Sequence, residues 1–264
     1  MYPTLFQLGP MMISTKSIFI ALAFLTSAFV FWRKTREEHY HQDQAFDAFL
    51  LASIAGLIMG RIGFVLFHLS ELGNNLWFWI DVVGHPGSSV FIGLLSASLY
   101  LYRYADKQKW DKFEVLDFWF LAVSAGMVLK QIGDFFAGVS FGYQTNLPWG
   151  MVFPGVFDKY HPAQIYSALF FLALYSYLYW AEYNYRTFFW YRSGKKTAQT
   201  GFLSCIFMIT LGGFMTLMQL VKPPQLVWGG INFDLVLYLV MFVLGGILLY
   251  LKSGRSFKFL KKNN

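Results

Sequence analysis

Ala45-Phe-Asp-Ala-Phe-Leu-Leu-Ala-Ser-Ile-Ala-Gly-Leu-Ile-Met-Gly-Arg61-Ile-Gly-Phe-Val-Leu-Phe-His-Leu69 runs for twenty-five residues with only two formal charges, Asp47 near its start and Arg61 near its end. A helix needs about 20 apolar residues to cross a hydrocarbon core of about 30 Å. The stretch therefore reads as a transmembrane helix. Six windows of the same kind flank it, at residues 12–32, 87–104, 115–137, 162–180, 202–221 and 233–251. Together the seven take up more than half of the 264 residues, and the connections are too short to hold a soluble domain. The expected fold is an all-α integral membrane protein with seven transmembrane helices, residues 1–264 forming a single membrane domain.

Composition points the same way. Hydrophobic residues make up 56% of the chain and charged residues only 13%, with a mean hydropathy of +0.46. A soluble domain carries about 25% charge, which excludes an ordinary cytosolic enzyme and a disordered chain. The single cysteine, Cys205, excludes a disulfide scaffold. A net charge of +7 would suggest nucleic acid if it were clustered on one soluble face. Its distribution reads instead as topology. Alternate connections collect Arg33, Lys34 and Arg36, then Arg103, Lys107, Lys109 and Lys112, then Arg186, Arg192, Lys195 and Lys196. The tail adds Lys252, Arg255, Lys258, Lys261 and Lys262, whereas the opposite side holds only Lys159 and Lys222. Basic loops stay in the cytoplasm, so the N-terminus is expected outside and the C-terminus inside.

No Lys or Arg precedes Lys16, and Arg33-Lys34 follows the first apolar stretch. That order argues against a secretory signal peptide. Trp32, Trp77, Trp79, Trp110, Trp149, Trp180, Trp190 and Trp228 fall at span ends or in short loops, as an interfacial belt requires. Gly56 and Gly60 form a GxxxG pattern that predicts close helix approach.

Arg61 and Lys130 are the costly residues, each beyond the midplane of its span. A cation near mid-bilayer costs about 2.5–3.5 kcal/mol on insertion scales. One reading is an anion site at the level of outer-leaflet phospholipid headgroups, because the planar fork of Arg61 suits a phosphate. The other is a structural network, since Asp134 lies four residues after Lys130 on the same helix face. His161-Pro162-Ala-Gln164-Ile-Tyr166 opens the fifth span, with Pro where a missing N–H costs nothing. His161, Gln164 and Tyr166 are then either site residues or an interfacial cap. His39 and His41 read as a solvated loop. No Cys/His cluster points to a metal, and no phosphate-loop motif points to a nucleotide; no cofactor is expected.

Leu8-Gly9-Pro10, Gly60-Arg61-Ile62-Gly63-Phe64-Val65-Leu66-Phe67, Asp117, Ile132-Gly133 with Phe135 and Gly138, Met151-Val-Phe-Pro154-Gly155 and His161-Pro162-Ala-Gln164-Ile-Tyr166 occur in this order. The set resembles the bacterial prolipoprotein diacylglyceryl transferases, most specifically at residues 60–67 and 151–166. The resemblance implies a seven-span protein of the bacterial inner membrane. It also implies transfer of a diacylglyceryl group from phosphatidylglycerol to the lipobox cysteine of a preprolipoprotein, with glycerol-1-phosphate leaving. Such chemistry needs a base for the thiol and cations for the phosphate.

Several family positions differ. The fourth-span signature, close to Gly-Arg-Leu-Gly-Asn-Phe-Ile-Asn-Gly-Glu, reads here Lys130-Gln131-Ile132-Gly133-Asp134-Phe135-Phe136-Ala137-Gly138-Val139. Its Arg is Gln131, its first Asn is Asp134, its second is Ala137 and its Glu is Val139. A His-Gly-Gly stretch in the family aligns with Phe91-Ile92-Gly93, and a His-Trp-Tyr-Gly stretch with Ser14-Thr15-Lys16-Ser17. The Arg and Glu of the sixth span align with Met215 and Gln219. Arg61, His161, Gln164 and Tyr166 carry over as polar positions.

The resulting expectation assigns Asp134 and His161 as base candidates, and Arg61, Lys130, Gln131, Gln164 and Tyr166 to the lipid phosphate. His68 and His85, also on the outer side, and Lys16 as a further cation remain open. Three readings follow: a transferase with a rebuilt site, a non-catalytic relative that binds phospholipid or lipoprotein precursor, and a small transporter or membrane-complex subunit.

Overall fold

The computed structural model describes residues 4–8, 11–69, 73, 76–81, 84–185 and 200–252. Among them, each of the seven apolar windows is one helix. They are α1 (Thr15–Glu37), α2 (Gln42–Phe67), α4 (Val90–Lys107), α5 (Lys112–Ala137), α6 (Ala163–Tyr185), α7 (Phe202–Met218) and α8 (Phe233–Lys252), with a five-residue helix α3 (Leu76–Ile80) between α2 and α4. By length and composition α1, α2, α5 and α8 are able to cross a membrane, and α7 is a shorter apolar helix. Tyrosines and serines dilute the apolar character of α4 and α6. Of the basic residues used for orientation, Arg186, Arg192, Lys195, Lys196, Arg255, Lys258, Lys261 and Lys262 lie outside the described residues, as do Trp190, Gly9 and Pro10.

The first helix begins later than its apolar window. Met11–Ser14 form a strand, β2, that pairs antiparallel with β1 (Thr4–Leu8). The Ser14 hydroxyl accepts from Ser17 N and caps α1, which starts the helix at Thr15. Two more short ribbons precede α6 and α8: β3 (Met151–Val152) with β4 (Lys159–Tyr160), and β5 (Val227–Trp228) with β6 (Ile231–Asn232).

α5 is the axis of the bundle, packing along both α1 and α6, while α2 pairs with α4 and α7 with α8. Its buried face includes Phe118, Leu121 and Ala122, which meet Leu101, Phe171, Leu178 and Phe207 in one apolar cluster. Helices surrounded by lipid associate mainly through close packing. The α2–α4 contact shows how close: a Cβ on Gly56 would stand 2.9 Å from the carbonyl oxygen of Gly93. Gly60 meets Ser89 O on the same seam, so the GxxxG pattern is a helix–helix contact as expected.

Polar side chains seal the end where α1 joins α2. Lys34 is buried and lies 2.9 Å from Glu182 and 2.7 Å from Glu37. The buried carboxylate of Asp117 accepts from Gly201 N and Ser204 N, each at 2.8 Å, and so caps α7. The other end gathers the ribbons and the loops that hold the candidate site.

Candidate functional site

α5 carries the first pair. Lys130 Nζ donates to Asp134 Oδ2 at 2.6 Å, one helical turn away. The Asp134 side chain is 1% exposed, and its Oδ1 is buried with no hydrogen-bond partner among the described residues. The helix then stops at Gly138, whose φ of +72° is the left-handed region that favours glycine. Val139 N closes back on Asp134 O at 3.0 Å, and the chain leaves α5 sharply at this point.

The corner is fastened to the start of α6. Gln164 Nε2 donates to Val139 O at 2.6 Å, while Gln164 Oε1 stays buried with no partner among the described residues. His161 exchanges main-chain bonds with Gly142 and Tyr143, at 2.9 and 3.0 Å, and Tyr143 N donates to Val221 O at 2.7 Å. The imidazole of His161 places Nδ1 3.3 Å from the Tyr166 hydroxyl, which also accepts from Trp149 Nε1 at 2.9 Å. Asp134, Gln164, His161 and Tyr166 thus belong to one connected corner. Gln131 is buried on α5, turned about 100° from Lys130 by the helical repeat.

Arg61 is elsewhere. Its Nε donates to Trp79 O, one terminal nitrogen to His85 O and Gly87 O, and the other to Phe78 O and Asp81 O, at 2.7–3.1 Å. A guanidinium has five N–H donors, so all are taken by main-chain carbonyls. No hydrogen bond or ion pair joins Arg61 to Lys130 among the described residues. His68 stacks on Phe64 with centroids 4.1 Å apart, and His85 lies 3.4 Å from Asp81. Neither meets Asp134. Phe91 packs edge-on against Tyr238.

Charge near the corner also comes from Lys222, which in the sequence stands only as one of two basic residues on the outer side. Lys222 is half-buried after α7, and Lys130, Asp134, Asp234 and Lys16 all act on it electrostatically. Burial pushes its amine below the ordinary lysine value, the ammonium of Lys130 acts in the same sense, and Asp134 and Asp234 oppose it. Its position just past an apolar window was a visible signal; its neighbours were not. Among the described residues no group of three His, Cys, Asp or Glu side chains is arranged to hold a metal.

The sequence profile of the family described as prolipoprotein diacylglyceryl transferase matches residues 3–251. The chain belongs to this family. Among curated relatives, the phosphatidylglycerol–prolipoprotein diacylglyceryl transferase of Bordetella avium (strain 197N) is similar along almost its full length, 28% identical over 266 residues, 96% of this chain and 95% of the relative. The protein of that name from Shewanella sp. (strain ANA-3) is 28% identical over 223 residues, 82% and 79% of the two chains. Its namesake in Wolbachia pipientis wMel is 32% identical over 173 residues, 64% and 65% of the two. Membership makes this a membrane protein, and the corner around Asp134 falls within the matched region.

Proposed function

We propose that the chain is a phosphatidylglycerol–prolipoprotein diacylglyceryl transferase whose active corner has been rebuilt. The single observation that carries the reading is the buried carboxylate of Asp134, with one oxygen held by Lys130 and the other bare. A buried acceptor without a partner is rare in a folded protein and marks a place for a ligand or a proton. In the reaction, Asp134 Oδ1 takes the proton of the lipobox thiol. The thiolate sulfur then attacks the glyceryl carbon esterified to phosphate, a C–S bond forms and the C–O bond breaks. The electron pair leaves with glycerol-1-phosphate, and a positioned base of this kind is worth about 10²–10⁴-fold.

His161 and Tyr166, braced by Trp149, flank the corner and serve the substrate from the α6 side. Gln164 anchors α6 to the end of α5, and Gln131 fills the place of the family's arginine without its charge. Arg61 acts from outside the reacting centre by fixing the carbonyls of Phe78, Trp79, Asp81, His85 and Gly87. The chain is read as one domain of seven spans in the bacterial inner membrane, N-terminus outside and C-terminus in the cytoplasm. Charge distribution and the seven helices support that reading, and it puts the corner at the outer leaflet, where phosphatidylglycerol and a translocated preprolipoprotein meet. No cofactor enters the reaction.

The test is a transfer assay with purified protein, phosphatidylglycerol and a lipobox peptide, read by the mass gain of the peptide. Thioether-linked product supports the reading. Folded, lipid-loaded protein that yields none overturns it and leaves a phospholipid-binding relative.

A further inference from the structure

At the end of the bundle opposite the Asp134 corner, an open groove of about 540 Å³ is lined by Phe29, Trp32, Arg33, Arg36, Glu37 and His39. All six come from the last turns of α1 and its connection to α2. Phe29 and Trp32 make an aromatic floor, with ring centroids 6.0 Å apart. Leu22, Leu25 and Phe29 are exposed on α1. Steps of three and four residues lead from Leu22 through Leu25, Phe29 and Trp32 to Arg36, so these side chains share one helix face. At 1.5 Å per residue the stripe from Leu22 to Trp32 is about 15 Å long, half the depth of a hydrocarbon core.

Charge at the rim of the groove is not balanced. Lys34 turns inward, its amine shared between Glu37 and Glu182. Glu37 gives its other oxygen to Arg33 Nε at 3.0 Å. Lys34 and Arg33 thus match the two carboxylates, and Arg36 remains. Its guanidinium lies over the Trp32 ring, 5.2 Å from the centroid, and among the described residues no ion pair joins it to a carboxylate. The helix end does not use it either. Glu38 N, His39 N and Tyr40 N close on the carbonyls of Lys34, Arg36 and Thr35 at 2.9–3.2 Å. His39, with φ of +61°, makes that turn.

We propose that this groove holds an anionic phospholipid of the leaflet at this end of the bundle, its phosphate on Arg36 and Arg33 and an acyl chain along Leu22, Leu25 and Phe29. A guanidinium donates two parallel bonds to a phosphate, which a single ammonium does not. A choline headgroup gains less, because Arg36 already covers the Trp32 face that would receive its quaternary ammonium. Under the proposed orientation this is the cytoplasmic leaflet, across the bilayer from the corner. The lipid in the groove is then not the one that reacts, and the proposal stands or falls independently of the transfer reaction.

The experiment is hydrogen exchange of the purified full chain in three settings: nanodiscs of phosphatidylcholine, the same discs with phosphatidylglycerol, and phosphatidylcholine discs with inorganic phosphate in the buffer. The amides of Glu38, His39 and Tyr40 report, because they close the turn beside the groove. Phosphatidylglycerol should slow their exchange about tenfold, the usual worth of one charge-assisted bond. Inorganic phosphate should leave it unchanged, having no chain to lie on the stripe. Arg36→Gln should remove the slowing. Lys109→Gln, at an exposed lysine of the α4–α5 connection, should keep it. Unchanged exchange along α5 shows that each variant is folded, and Arg36→Ala serves as a second neutral variant.

Absence of slowing in the wild type overturns the proposal, as does equal slowing in Arg36→Gln and Arg36→Ala. Equal loss in Lys109→Gln overturns it in favour of diffuse attraction between a basic surface and an anionic bilayer. The same slowing by inorganic phosphate overturns the lipid and leaves a simple anion site.

Discussion

Lys130 and Asp134 form a 2.6 Å ion pair along one face of α5, and the pair leaves one carboxylate oxygen, Asp134 Oδ1, buried and without a hydrogen bond among the described residues. The spacing of four residues already allowed the contact. What the fold adds is the burial of Asp134, which leaves that oxygen away from solvent.

Asp134→Asn keeps the shape and the hydrogen-bonding capacity of the side chain but cannot accept a thiol proton. Turnover in the lipobox assay should fall by about 10²–10⁴-fold, with the folded protein still binding lipid. Near-normal turnover, accompanied by a lower unfolding temperature, would assign Asp134 to neutralising Lys130 alone.

Arg61→Gln should loosen the loop that its guanidinium gathers. Each lost bond to a charged donor is worth about 1.5–3 kcal/mol before relaxation, so the unfolding temperature should drop measurably. Hydrogen exchange should accelerate at residues 78–81 and 84–87. Arg61→Lys should rescue little, because one ammonium cannot reproduce five fork-like donors. Lost lipid occupancy with unchanged exchange would instead return Arg61 to the headgroup itself.

Tyr40 sits in the α1–α2 connection, with its ring 4.8 Å from Trp110 and its hydroxyl donating to Glu114. Burial and the neighbouring Glu114 carboxylate raise its ionisation above the ordinary tyrosine range. The raised value means that its contribution to stability is complete below about pH 10 and is lost as pH rises through the folded value. Tyr40→Phe should cost about 1.5–3 kcal/mol at neutral pH and shrink the alkaline loss of stability. An alkaline unfolding profile identical in the two proteins would contradict the assignment.

Reporter fusions test the orientation. Fusions after residues 36, 109, 195 and 258 should report cytoplasm, and those near residues 75, 157 and 229 the exterior. One reversed loop breaks the seven-span arrangement.

Hydropathy along the chain is enough to locate all seven long helices, because each carries a long apolar run that is written in local composition. The Gly56–Gly60 seam and the proline-led start of α6 were legible for the same reason, as was the Lys130–Asp134 pair. The ribbon at Met11–Ser14 was not: its residues are as apolar as a helix start, and the cap at Ser14 together with pairing to β1 decided between them. Nor were the partners of the charges. Arg61 finds carbonyls 17 to 26 residues downstream, and Asp117 caps a helix 84 residues away. A charge in a sequence announces only that it needs a partner. Which main-chain oxygen, amide or neighbouring lysine stands beside it depends on how helix ends meet in space, and only the folded chain placed Lys222 beside the Lys130–Asp134 corner.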